Sequence, residues 1–316
     1  MFHTPVCDLL GIEVPILQGA MQGGGGVELV AAVSEAGGLG VLPTFAGTDQ
    51  KLRADIAAVR ARTARPFGVN IMPMGRGITE RCVETCIELA VPVVTTGRAD
   101  PGERAVRRLK DAGIKVVSVI PTVAHARRME AEGVDAVVAS GTEAGGHVGT
   151  IATLPLVPMV IDAVEIPVLA AGGIADGRGF LAALALGAQG VQMGTRFMAT
   201  VESDLNPWGR ERLLAMRETD TIVTTVMTGA TVRYFRTPEI TAYEDAVARG
   251  ARESEVAELR RRARASRNNE KDERRQFAVG QIAGMIDDVP TVAELIRRIL
   301  SEAAALADRL PALARR

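Results

Sequence analysis

The chain has 316 residues, of which 47% are hydrophobic and 24% charged, and its formal net charge is -1. That apolar share supplies a sizeable core and excludes wholesale disorder, and α/β barrels of this length commonly form one domain. A net charge so close to zero leaves no electrostatic footprint for nucleic acid or an anionic membrane, so the expected partner is a small-molecule substrate.

The first residues, Met1-Phe2-His3-Thr4-Pro5, lack the basic region and apolar core of a secretion signal, and no apolar run is long enough to cross a bilayer. Cys7, Cys82 and Cys86 offer no disulfide framework, and the spacing of Cys82 and Cys86 suits a helix rather than a metal knuckle. A reducing cytoplasm and no metal are expected.

From Val14 to Phe197 short apolar runs alternate with amphipathic stretches, the pattern of βα units around a parallel sheet. Strands are expected over 14–20, 39–43, 67–72, 92–97, 115–121, 135–140, 167–173 and 190–197, and eight is the strand count of a (β/α)8 TIM barrel. Helices are expected between them over 27–36, 48–62 with a cap at Thr48, 79–89, 103–112, 123–132, 154–164 and 178–186. After Thr200 the alternation stops. Residues 202–278 read as a charged, mostly helical cap or subdomain, in which Arg252 to Arg275 forms a solvated Arg/Glu helix. Residues 279–316 then return as an apolar, glycine-spaced segment and an amphipathic helix packing back on the barrel of 1–201.

Active sites of such barrels lie at the carboxyl ends of the strands. The residues closing each run are glycines and small polar groups: Gly19-Ala20-Met21-Gln22, Asn70, Thr95-Thr96-Gly97, Ser140, Gly145-Gly146-His147, Gly172-Gly173 and Met193-Gly194-Thr195. Glycine lets the backbone approach a ligand closely, and the imidazole of His147 can move a proton near neutral pH. The loops at Gly172-Gly173 and Gly194-Thr195 follow the last two expected strands, where barrels bind phosphate. A broad, flat, phosphorylated cofactor across the mouth is therefore expected.

The order of Val14-Pro15-Ile16-Leu17-Gln18-Gly19-Ala20-Met21-Gln22, Ala36-Gly37-Gly38-Leu39-Gly40, Pro66-Phe67-Gly68-Val69-Asn70-Ile71-Met72, Glu143-Ala144-Gly145-Gly146-His147, Ala171-Gly172-Gly173-Ile174 and Met193-Gly194-Thr195-Arg196-Phe197 resembles a flavin-dependent family. This family contains the nitronate monooxygenases, formerly 2-nitropropane dioxygenases, and the type II enoyl-acyl-carrier-protein reductases. The resemblance implies FMN held without a covalent link. It places Gly19, Ala20, Met21 and Asn70 against the isoalloxazine ring, Lys115 and Ser140 near its polar edge, and Gly172, Gly173, Gly194 and Thr195 on the phosphate. Gln22, Thr96, Gly145, Gly146 and Met193 complete the expected cofactor contacts, and His147 becomes the acid/base or substrate-orienting residue. Two departures stand out: Gly23-Gly24-Gly25-Gly26 replaces a bulkier segment, often containing Trp, in relatives, and Ser140 stands where relatives often have Gln or Glu.

The leading expectation is a nitronate monooxygenase that oxidises alkyl nitronates or nitroalkanes with O2 to a carbonyl compound and nitrite. The alternative is an FMN enoyl-thioester, enoyl-acyl-carrier-protein or quinone reductase with NAD(P)H as reductant, and a non-catalytic flavin-binding barrel ranks third. A homodimer is left open as the assembly.

Overall fold

A computed structural model describes residues 2–44, 49–72, 76–97, 101–268 and 277–313. The chain begins with α1 (Pro5–Leu10), and then alternates β1 (Ile16–Gln18), α2 (Val27–Glu35), β2 (Val41–Pro43), α3 (Asp49–Arg60), β3 (Gly68–Ile71), α4 (Arg76–Glu88), β4 (Val93–Thr96), α5 (Glu103–Asp111), β5 (Lys115–Ile120), α6 (Val123–Ala131) and β6 (Ala136–Ser140). A two-residue strand β7 (Gly146–His147) precedes α7 (Thr153–Ile161), β8 (Val168–Ala171), α8 (Gly177–Ala185), β9 (Val191–Met193) and the one-turn α9 (Thr195–Met198). Beyond these come α10 (Pro207–Leu214), β10 (Thr221–Thr224), β11 (Val232–Phe235), α11 (Pro238–Ala248), α12 (Glu253–Asn268), a 3-10 turn (Gln281–Met285) and α13 (Val292–Leu313). The cap expected at Thr48 and the end of the Arg/Glu run lie outside the described residues.

Eight parallel strands form a nearly closed barrel in the order β1-β9-β8-β6-β5-β4-β3-β2. The seam between β1 and β2 is drawn together by a bridge at Leu17 and Leu39. There the Gln18 N–H donates to the Leu39 carbonyl at 2.9 Å, and the Leu39 N–H donates to that of Ile16 at 3.0 Å. The buried Gln18 side chain adds to this by accepting from the Val41 N–H at 3.1 Å. Buried on both faces, the strands read as continuous apolar runs, and successive residues divide between two clusters. Leu17, Val93, Val117 and Val138 pack together inside the barrel with Val6, Cys7 and Leu10 of α1. Their neighbours Ile16, Val94, Val116 and Val137 face the helices instead.

Two local expectations are corrected. The eighth run does not stay extended to Phe197: the strand stops at Met193, and from Gly194 the chain winds into α9, where the Met198 N–H donates to the Gly194 carbonyl at 3.2 Å. The region after Thr200 is helical in part, but it also carries the antiparallel hairpin β10–β11, whose second strand pairs with β7. Thr221-Ile222-Val223-Thr224 and Val232-Arg233-Tyr234-Phe235 are rich in β-branched and aromatic residues, which favour a pleated surface over a helix.

Candidate active site

Parallel strands all end at the same rim, so Gly19, Asn70, Thr96, Ser140, Gly172 and Gly194, each at or just past a strand's carboxyl end, gather at one mouth. The Gly19 N–H donates to the Met193 carbonyl at 2.9 Å, which ties the β1 exit to that of β9. The Met193 side chain is buried among the residues packed on the helices, so only its backbone can reach the mouth. Asn70 is buried; its Nδ2 donates to Thr95 Oγ1 at 2.9 Å, and its carbonyl accepts from Thr44 Oγ1 at 2.7 Å. Thr96 and Ser118 share a hydrogen bond of 2.8 Å between buried hydroxyls. Ala20 and Met21 are half-buried at the rim, and Gln22 is exposed.

Lys115 does not join them. It begins β5, in register with Val93 at the start of β4, and therefore lies at the amino end of the barrel, opposite the mouth. Its ammonium stands 3.9 Å from the Asp135 carboxylate, which also accepts a hydrogen bond from Lys110 and one from the Val116 N–H at 2.8 Å. The expected contact of Lys115 with the flavin edge is thus replaced by an ion pair under the barrel.

The histidine loop leaves β6 at Ser140 and is fastened at several points. The Glu143 carboxylate accepts from the Thr153 N–H, 3.0 Å from each oxygen, and from the Thr153 hydroxyl at 2.9 Å, which caps the first turn of α7 from outside the helix. Thr153 Oγ1 also lies 3.0 Å from the Gly172 carbonyl, so the histidine loop and the β8 loop share one anchor. From the other side, the Gln281 N–H donates to the Glu143 carbonyl at 2.9 Å, and the Gly280 N–H donates to Thr195 Oγ1 at 2.9 Å. Gly145 and Gly280 make this approach possible: a Cβ on Gly145 would stand 2.8 Å from the Gly280 nitrogen, and one on Gly280 would stand 2.8 Å from the Glu143 oxygen.

Gly146 and His147 then form β7, opposite Arg233 and Val232 of β11. His147 is exposed, while Val148 beside it is buried and holds the strand down. Arg233 is 6% exposed, and its Nε donates to the Thr142 carbonyl at 2.9 Å while Nη1 donates to Thr221 Oγ1 at 2.9 Å. Burial pushes the Arg233 guanidinium below its ordinary value, and the charge of Glu143 works in the opposite direction. Sequence reasoning missed Arg233 and gave Glu143 no role. Arg233 lies 91 positions from Thr142, so no local pattern announces the contact. Glu143 was visible only as part of a motif.

The rim expected to take a phosphate has an unexpected feature. Gly172 and Gly173 follow β8 with φ of 91° and 75°, a consecutive pair in the left-handed region that turns the backbone sharply across the mouth. The N-terminus of α8 just beyond is already occupied. Asp176 accepts from the Arg178 and Gly179 N–H groups at 3.0 and 3.2 Å, and Glu302 of α13 accepts from the Gly177 N–H at 2.8 Å. The backbones of Gly172, Gly173 and Gly194, with Thr195, lie at the rim beside that filled helix terminus. A Cβ on Gly194 would stand 3.2 Å from Met21 Sδ, so this loop and the β1 loop are in contact. Among the described residues, no group of three or more His, Cys, Asp or Glu side chains is placed to hold a metal ion, and no helix is long and apolar enough to cross a membrane.

The chain is an eight-stranded parallel barrel with glycine-rich loops at its carboxyl-end mouth, and its sequence places it among the flavin oxidoreductases of that architecture. Residues 3–302 match the nitronate monooxygenase family, and the chain belongs to it. Members of that family are FMN-dependent. FabK from Thermotoga maritima is similar in structure with a TM-score of 0.91 at 42% identity, covering 99% of this chain and all of its own. Nitroalkane oxidase from Streptomyces ansochromogenes gives a TM-score of 0.81 at 29% identity, covering 96% of this chain and 99% of its own. In sequence, the (3aS,4S,5R,7aS)-5-hydroxy-7a-methyl-1-oxo-octahydro-1H-indene-4-carboxyl-CoA dehydrogenase of Mycobacterium tuberculosis is 37% identical across 95% of this chain and 96% of its own.

Proposed function

We propose that the chain is an FMN-dependent oxidoreductase of acyl thioesters that exchanges hydride equivalents with NAD(P)H. The observation that carries this reading is the near-complete coverage at 37 to 42% identity shared with FabK, an enoyl-acyl-carrier-protein reductase, and with a dehydrogenase of a ring-bearing carboxyl-CoA. It reverses the order in which the motifs alone rank the two activities. Nitroalkane oxidation is the second reading, supported by the family's name and by the Streptomyces enzyme at 29% identity.

The mouth fits FMN. Gly172, Gly173, Gly194 and Thr195 would hold the phosphate, and their small side chains leave the backbone accessible where bulkier residues would cover it. Gly19, Ala20, Met21 and Asn70 would flank the ring, with Thr96, Ser140, Gly145 and Gly146 around it. FMN, when bound, supplies the capacity to accept and release a hydride equivalent. The chain's own contribution is position and protons. His147, exposed on β7, is the group able to transfer a proton at the carbon beside the thioester carbonyl, and the fastened loop beneath it fixes where that proton is delivered.

Anaerobic mixing of the purified flavoprotein with NADH, NADPH or a primary nitronate, each alone, tests this. Bleaching of the visible flavin band by a nicotinamide, and its recovery on adding an enoyl-CoA, is the expected outcome. Bleaching by the nitronate alone would overturn the thioester reading in favour of the second one.

A further inference from the structure

Gly23, Gly25 and Gly26 of the tetraglycine, the stretch expected to depart from the family pattern, line one side of a half-open cleft of about 540 Å³. In the loop between β1 and α2, Gly25 and Gly26 have neighbours that leave no space for a side chain. A Cβ on Gly25 would stand 2.9 Å from the Met21 carbonyl oxygen, and one on Gly26 would stand 2.9 Å from Asp204 Oδ2. Ser203 Oγ donates to the Gly24 carbonyl at 3.1 Å, and the Gly26 N–H donates to Asp204 Oδ1 at 3.2 Å. The wall is thin and pinned.

Met21, Val27, Leu42, Pro43 and Val201 give the cavity an apolar lining. Its charged groups are the carboxylates of Glu28, Asp55, Glu202 and Asp204 and the ammonium of Lys51. Lys51 lies 2.5 Å from Asp55, and Glu202 accepts from the Val292 N–H at 3.1 Å. Met21 belongs both to this cavity and to the mouth, so the two spaces adjoin at the first-strand loop.

Volume and charge together select the occupant. This half-open cleft has a volume in the range of about 300–1,000 Å³ found for small-ligand sites, and a nitroalkane or a four-carbon acyl group would leave most of it empty. Glu28 is paired with Arg62 and Asp55 with Lys51, so the net negative charge comes from Glu202 and Asp204, which disfavour a nitronate, a free carboxylate or the phosphates of CoA. We propose that the cavity seats the bulky, uncharged hydrocarbon part of an acyl thioester, with the CoA arm directed away from it. This rests on the acyl-thioester reading above and adds a size class to it: the preferred acyl group is alicyclic or branched rather than a short straight chain.

The test is calorimetric titration of the FMN-loaded protein with two saturated probes, butyryl-CoA and cyclohexanecarbonyl-CoA. The parent protein is expected to bind the cyclohexane thioester about tenfold more tightly, the amount that burial of two or so further methylenes provides. Val201→Trp should remove that preference, and since Val201 is 56% exposed it can carry the larger ring without disturbing the core. Val27→Phe, at the first turn of α2, fills the same space from the opposite wall and should do the same. Equal affinity of the parent protein for both probes, or a preference that survives both substitutions, overturns the cavity assignment alone. Failure to bind either thioester overturns it together with the acyl-thioester reading.

Discussion

Glu143 joins four parts of the mouth without being its reacting group. Its carboxylate caps α7 through Thr153, and its carbonyl receives Gln281, so the histidine loop, α7, the β8 loop and the 280–281 segment all depend on it. Removing a capping side chain costs about 1 kcal/mol, or up to about tenfold in a coupled equilibrium. Glu143→Ala is therefore expected to weaken FMN retention by about that factor, while Glu143→Gln, whose amide oxygen still accepts from Thr153, loses less. Titration of flavin fluorescence measures both, and an alanine variant that holds FMN as tightly as its parent would show that the loop stands without the cap. His147 and the glycines of this loop were legible in the sequence because their chemistry is local. Arg233 was not, since its burial and its bond to Thr142 exist only after β11 has paired with β7. Lys115 was misplaced for a different reason: a motif position was carried over without asking at which end of its own strand the residue stood.

Among the elements, α8 and α13 cross in backbone contact. A Cβ on Gly177 would stand 2.6 Å from both the Ala303 nitrogen and the Ile299 carbonyl oxygen, so the two backbones touch where α8 begins. Gly177→Ala must push α13 outward, an overpacking cost of about 1–3 kcal/mol. The urea midpoint should fall accordingly, and an unchanged midpoint would mean that the crossing yields freely. Barrel strands were easy to read because burial on both faces writes them as short valine-rich runs bounded by glycine and proline. The hairpin was hidden because its strands are only four residues long, one half-buried at its centre and the other buried around an arginine, and they lie within a region whose charge reads as helix.

Across the molecule, the apolar barrel is closed at its carboxyl end by segments that come late in the chain, and carboxylates make several of the ties. Burial raises the carboxyl of Asp176, but hydrogen bonds from Arg178 and Gly179 outweigh it and hold the group below its ordinary value. Asp288 behaves alike: burial raises it, while Arg298 and Arg196 pull it down further. Groups depressed on folding contribute stability that is complete above the ordinary carboxylate range, about pH 4, and is lost as pH falls through the folded values. Stability to urea should therefore be flat from neutrality to about pH 5 and drop below it. Asp288→Asn should reduce that drop, and an unaltered acid slope would dismiss the Arg196–Asp288 tie as a contributor. The cap that Glu302 places on α8 also sets a clock. It is supplied 125 positions after the Gly177 N–H that it receives. Ribosomes add about 5–20 residues per second, so during synthesis this helix waits on the order of ten seconds for its partner. The start of α8, next to the β8 loop, is therefore finished only when α13 docks, so its completion is timed to the arrival of the chain's last helix rather than to closure of the barrel.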